Sequence, residues 1–224
     1  NSGTVTLGNG SSDSIAFTAG VTATAPSQVN IAGTVQSTNS TISIGDSGTP
    51  IVLTANTTIT ANTSGNITLG GTVDGAFALT LDSSDATTLS GIIGGSTPLT
   101  SLTTNAGGTV VINTTAISTT GDQTFGEDVT LGDNVTLTSS SSGNISFAGT
   151  IESASSARAL TVNTSGTTTF GGTVGANSLY LASVTTDSGG TTAINGGSVR
   201  TTGAQTYRDN VTLDADTTLT ALTV

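Results

Sequence analysis

No cysteine, histidine, lysine, methionine or tryptophan occurs in the chain, and each absence closes a class of chemistry. Without cysteine there are no disulfides and no thiolate metal sites, so stability has to come from packing and main-chain hydrogen bonds. The lack of cysteine also suits a protein exported unfolded. Without histidine or cysteine, nucleophilic triads of the Ser/His or Cys/His kind cannot be assembled. Arg158, Arg200 and Arg208 are the whole cationic complement against fourteen acids, giving a formal charge of -11. No basic patch can be built from them to neutralise phosphates, which argues against nucleic acid and against an anionic membrane surface. No apolar run approaches the roughly 20 residues that span a bilayer. The N-terminal residues carry neither a methionine nor the charged and apolar stretches of an export signal, so such a signal is expected outside these residues or removed. Two tyrosines and five phenylalanines are the only aromatics, so any core is aliphatic and narrow.

What is abundant is threonine, at about fifty positions, followed by serine and glycine. Disordered segments share that polar bias but not the recurrent valine, isoleucine and leucine seen here. With 33% hydrophobic residues, many of them β-branched, the chain can order itself if the apolar residues gather on one side. They do alternate: Val5/Leu7, Ile15/Phe17, Val29/Ile31, Ile67/Leu69, Val110/Ile112, Val129/Leu131 and Leu160/Val162 each frame a Thr, Ser or other small residue, the signature of short half-buried strands. Clusters of Gly, Asn, Asp and Ser separate these strands and supply turns. Helical spacing is missing, and threonine and glycine are poor helix formers.

The strands repeat. TTGDQTFGEDVTLGDNVTLT at 119–138 returns as TTGAQTYRDNVTLDADTTLT at 201–220, with about eleven of twenty positions identical at an offset near 82. Upstream, Ser64-Gly65-Asn66-Ile67 returns as Ser142-Gly143-Asn144-Ile145 at an offset near 78. This predicts units of about 80 residues: diverged coils at 1–48, one unit at 49–126, a second at 127–208 and the start of another at 209–224. A stack of sandwich domains would need larger cores with buried aromatics, whereas a parallel β-solenoid needs only a thin aliphatic column. The expectation is therefore a single all-β, right-handed parallel β-helix with essentially no α-helix. At about 20 residues per coil it has about four coils per unit and about eleven in all, forming a rod of roughly 50 Å. Neither end carries the charged, atypical sequence of a solenoid cap, so the chain reads as part of a longer repeat array or as a subunit that stacks end to end.

The segments Thr-Thr-Gly-x-Gln-Thr-aromatic at 119–125 and 201–207, each followed by x-x-x-Val-Thr-Leu, resemble a repeat of large bacterial surface proteins, the filamentous-haemagglutinin-like and autotransporter-type adhesins. The resemblance spans about 49–224 and is one of repeat style. It implies a right-handed β-helical passenger exported across an outer membrane, and it carries over no functional residue. The secretion domain and translocator of such proteins are not within it.

Several residues invite a chemical reading. Asp122, Glu127, Asp128 and Asp133 fall within one turn-strand-turn, and the next copy has Asp209, Asp214 and Asp216. Oxygen ligands at turns suit Ca²⁺, but the glycine-rich nonapeptide of calcium β-rolls is missing, so solvated turn acids are the simpler reading. A carboxylate pair could serve glycoside cleavage, yet the basic and aromatic residues that back such acids are nearly absent. Asn66, Asn144, Asn113 and Asn195 recur at matching positions and read as turn residues or amide ladders. Asn56, Asn62, Asn134 and Asn210 lie in Asn-x-Ser/Thr sequons, which matter only in a host that glycosylates them. The Thr-x-Thr pieces at 4–6 and 22–24 do not recur at a fixed phase, which disfavours an ice-binding face. Phe125 with Tyr207, and Leu69 with Phe147, occupy equivalent positions and are expected to plug the core at coil corners, with a sugar-stacking role open to Tyr207 alone.

Together these readings give a non-enzymatic structural or adhesive stalk at the cell surface or outside the cell. It needs no cofactor and makes no membrane insertion or nucleic-acid contact. Its partners are other copies of itself, or a glycan or surface receptor bound by regions outside this chain. Self-assembly into an extracellular filament or sheath is the alternative, with a polysaccharide-active β-helix or an ice-binding solenoid behind it.

Overall fold

The computed structural model describes residues 3–105, 107–214 and 216–222. Its strands are short because a turn residue interrupts the alternation every few positions, and every strand pair among them is parallel. The chain winds as a parallel β-solenoid of about 10 turns of about 22 residues. Among the described residues the sole helical element is the 3₁₀ turn Ala176–Ser178.

Each turn contributes a strand to three faces, and the strand registers define three inward columns. On the first face Val29, Ile51, Val73, Ile93, Ile117, Leu137 and Val162 lie one above another. The second face stacks Val35, Ile59, Leu81, Thr104, Phe125, Phe147, Phe170 and Ile194. The third stacks Ile42, Ile67, Thr87, Val110, Val129, Ile151, Val174 and Val199. Nearly all of these aliphatic side chains are fully buried, each contributing about 1.5–3 kcal/mol over exposure. Two long strands, Gln28–Ser37 and Ile51–Ala61, run from the first face to the second, with a register break between Ile31 and Gly33 where Gly33 takes φ 69°. That left-handed conformation bends the strand and favours glycine.

The corners are sealed from inside by hydroxyls. Thr119 Oγ1 donates to Gly121 O at 2.6 Å, Ser139 Oγ to Gly121 O at 2.9 Å, and the Thr164 hydroxyl to Gly143 O. These three hydroxyls thus meet carbonyls at the corners. Backbones touch there: a Cβ on Gly143 would lie 2.2 Å from the Gly121 carbonyl carbon, and one on Gly190 2.1 Å from Gly166 O. A side chain at these positions would force neighbouring turns apart.

The expected unit of about 80 residues is not the structural repeat; the turn of about 22 residues is. From Ile117 on the first face, three turns pass through Leu137, Val162 and Thr186, and two more faces lead to Val199, its counterpart at the offset near 82. Ile67 on the third face reaches its counterpart Ile145 on the second face by the same three turns and two faces, through Thr87, Val110 and Val129. The sequence repeat is therefore a fractional number of turns, and matched segments occupy different faces. The 1–48 segment joins the same columns through Val5 with Val29, Ile15 with Val35 and Val21 with Ile42. Of the expected flanking units, residues 1–2, 215 and 223–224 lie outside the described residues.

Candidate functional site

The acids singled out in the sequence are distributed along the corners, where most of them tie one turn to the next. Asp122 Oδ1 accepts the Asn144 N–H at 2.7 Å, and Asn144 Oδ1 accepts the Thr167 N–H at 2.9 Å, one turn further. Asp128 Oδ1 takes the Thr150 N–H at 2.6 Å, and Asp209 Oδ1 takes the Gly190 N–H at 2.9 Å. Asp74, which sequence reasoning left aside, holds both the Ser96 and the Thr97 N–H groups. A short acceptor at a corner thus satisfies a donor that the interrupted ladder leaves open. Asp133 differs: it accepts the adjacent Asn134 N–H and faces Arg158 at 3.9 Å, a partly exposed pair that adds little stability. Asp214 and Asp216 are exposed. Among the described residues no three of His, Cys, Asp and Glu gather into a group able to hold a metal ion.

Glu127 is the exception in kind. Its side chain is 6% exposed, with Oε2 accepting the Thr104 hydroxyl at 2.9 Å and Oε1 buried without a partner. Thr104 takes a place in the second-face column between Leu81 and Phe125, so this corner of the core is polar. Burial pushes the Glu127 carboxyl above its ordinary range; the Thr104 hydroxyl and the backbone N–H groups of Glu127 and Gly126 oppose the shift, and Asp82 adds to it.

The asparagines act as the acids do. Asn66 Oδ1 accepts the Ala86 N–H at 3.0 Å, matching Asn144, and Asn56 and Asn134 reach the Ala78 and Ala159 N–H groups in the same way. Asn113 and Asn195 join through their backbones, donating to Leu89 O and Phe170 O at 2.8 Å. Asn62 and Asn210 are exposed.

Sequence reasoning missed Gln123. Fully buried, it donates from Nε2 to Thr138 O at 2.9 Å, with longer contacts to Ile117 O and Thr119 Oγ1. Gln205 repeats the set with Thr220 O, Val199 O and Thr201 Oγ1. A glutamine kept in both copies of the repeat was the available signal. Phe125 stacks on Phe147 at 5.1 Å between ring centroids, and Phe147 on Phe170 at 5.7 Å, an internal pile on one face. Tyr207 sits on the first face, half-buried, its hydroxyl donating to Gln205 Oε1 and its pKa pushed up to about 12 by burial. The sequence also hid a threonine column. Thr34, Thr58, Thr80, Thr103, Thr124, Ser146 and Thr169 follow one another outward on the second face, once per turn at a fixed phase and in single file.

Two hollows open on the surface of the described residues. One of about 670 Å³ opens at the first turn, lined by Val5, Leu7, Phe17, Val21 and Ala23 among others. A cleft of about 110 Å³ lies between Ser153, Ser156, Leu179 and Tyr180. Among the described residues no helix is long and apolar enough to cross a membrane. No protein family, curated protein or solved structure matches the chain.

Proposed function

We propose that the chain is a rigid structural segment, a stalk or fibre element of a right-handed β-helical bacterial surface protein of the adhesin kind, and that its work is mechanical. The observation that carries this reading is where the polar side chains are used. Acids, amides and corner hydroxyls bind neighbouring backbone, one turn to the next, around a largely apolar interior. Such a column resists bending because each turn hydrogen-bonds along its faces to the turns above and below. Its outward threonines and charge of -11 keep it hydrated and apart from other polyanions. Adhesion, on this reading, belongs to regions that the rod holds away from the cell.

Pulling single molecules from both ends tests the proposal. A mechanical rod peels turn by turn, each turn of about 22 residues releasing about 70 Å of chain in evenly spaced force peaks. Extension without force peaks would overturn the reading. Release of sugars from a polysaccharide panel, lost when a pair of acids is replaced, would substitute an enzyme for it.

A further inference from the structure

The two copies of the sequence repeat differ in length at one corner, and that corner holds the cleft of about 110 Å³. Thr72-Val73-Asp74 and Thr150-Ile151-Glu152 stand 78 apart, but Ala78-Leu79-Thr80 and Ala159-Leu160-Thr161 stand 81 apart, so the later copy has three extra residues within 153–158. On the opposite wall Gly94 and Gly175, at φ 68° and 73°, are 81 apart and Leu99 and Leu181 are 82 apart, so one more residue is inserted there. The column beneath is the same in both copies: the bridges Val73 to Ile93 and Leu99 to Thr119 return as Ile151 to Val174 and Leu181 to Thr201. Phe77 packs against the core in the earlier copy, whereas Arg158, also just ahead of Ala-Leu-Thr, points to Asp133 at 3.9 Å. The cleft lies within the column, with Leu131 paired to Ser153 on one side and Leu222 N–H donating to Thr201 O on the other.

Its walls are fixed from below. Buried Ser153 receives the Arg158 N–H at 2.9 Å and ties the far wall through its N–H to Leu179 O and its hydroxyl to Tyr180 O, both at 3.0 Å. That wall is strained: Asn177 and Ser178, at φ 51° and 64°, are the only consecutive non-glycine residues in left-handed backbone among the described residues, a conformation such side chains rarely take. At other corners acids and amides are used up on neighbouring backbone; here the hydroxyls of Ser155, Ser156, Ser178 and Tyr180 bond to no protein group among the described residues, beside the Leu179 side chain. No charged side chain lines the cleft. We propose that it binds one neutral sugar ring, the end residue of a glycan, with the apolar face of the ring on Tyr180 and Leu179 and the ring hydroxyls on the free serines. The aromatic is thus Tyr180, not the Tyr207 that the sequence pointed to. A cleft well below the roughly 300 Å³ of a drug-sized site takes a single ring, not a chain of them. Without a pair of carboxylates in its lining, it holds the sugar and does not cleave it. The site adds a weak contact on the side of the rod and does not depend on the rod reading.

Saturation-transfer NMR of the purified chain with the methyl glycosides of glucose, galactose and mannose, and with glucuronate, tests it. At least one neutral glycoside is expected to bind saturably with a dissociation constant on the order of millimolar, as suits a single small ring. The chain has no tryptophan, so the emission of Y207F belongs to Tyr180 alone and is expected to change along the same titration. Y180A is expected to weaken binding at least about tenfold, while Y180F, which keeps the ring, stays within about threefold of the parent. A157R, which fills the cleft from an exposed loop, is expected to abolish binding with the native circular dichroism spectrum kept, and T103A, on another face, to bind as the parent does. Absence of saturable binding by all three neutral glycosides would overturn the site. So would binding that Y180A and A157R leave unchanged, or a preference for glucuronate. None of these failures touches the rod reading, which the force peaks decide.

Discussion

The segment Thr-Thr-Gly-x-Gln-Thr-aromatic builds one corner twice, at 119–125 and at 201–207, yet the two corners join different pairs of faces. The first leads from the first face to the second, the second from the third face to the first. Their internal bonds are the same: Thr119 and Thr201 hydroxyls donate to Gly121 O and Gly203 O at 2.6 and 2.7 Å, and Gln123 and Gln205 reach Thr138 O and Thr220 O at 2.9 Å. The corner is thus a portable local device, indifferent to which faces it joins. That is why a sequence repeat need not be a whole number of turns. What differs is cover. Gln123 and Phe125 lie beneath the strand Ile145–Phe147, whereas no described strand pairs beyond Gln205 and Tyr207 on their face.

The sharpest break of this comparison is at the aromatic. Phe125→Ala removes the end of a three-ring stack and is expected to destabilise the protein by about 3–5 kcal/mol, against about 1–2 kcal/mol for Tyr207→Ala, measured by chemical unfolding. Gln123→Leu removes buried side-chain donations to Thr138 O and Ile117 O and is expected to lose about 2 kcal/mol, while Gln205→Leu, half-buried, loses about half as much. Similar costs for the two glutamines would show that cover is not what separates the corners. At the corner glycines the two copies should agree. A Cβ on Gly121 would meet Thr100 O at 2.8 Å and one on Gly203 would meet Ala182 O at 2.7 Å, so G121A and G203A are expected to cost similar amounts, about 1 kcal/mol each.

The smallest effect is a gain. Glu127 and its counterpart Asp209 occupy matching positions, but Asp209 has both oxygens engaged whereas Glu127 Oε1 has no partner. With its pKa raised in the folded state, the Glu127 carboxyl binds protons more tightly folded than unfolded. Its charged form therefore detracts from stability, and the loss grows as pH rises from its ordinary value of 4.5. Glu127→Gln is expected to stabilise the protein by about 1 kcal/mol at pH 7 and to lose that advantage below pH 4.5, in unfolding titrations at both values. D209N should show no such gain.

The parallel solenoid was legible because two-residue alternation such as Val129/Leu131 survives in a one-dimensional reading, and because lone strands of that length need stacked neighbours. The turn length was not legible. Identity between copies is strongest where the corner device is reused, and that device returns after three turns and two faces, so the eye finds the long period and overlooks the short one. The roles of Asp122, Asp128 and Asn144 were half legible: their turn composition pointed to corners, but their partners one turn away depend on register. Glu127 and Gln123 were hidden for the same reason, since neither residue type predicts its own burial.

The most direct test of the three-faced coil is one distance. Thr58 and Thr169 share an outward column five register steps apart, through Thr80, Thr103, Thr124 and Ser146. In a chain free of native cysteine, spin labels at T58C and T169C are expected to give one narrow distance distribution near 24 Å by pulsed electron resonance. A broad distribution, or a peak beyond about 35 Å where a different turn length would throw the labels onto separate faces, would contradict the stacking on which the whole account depends.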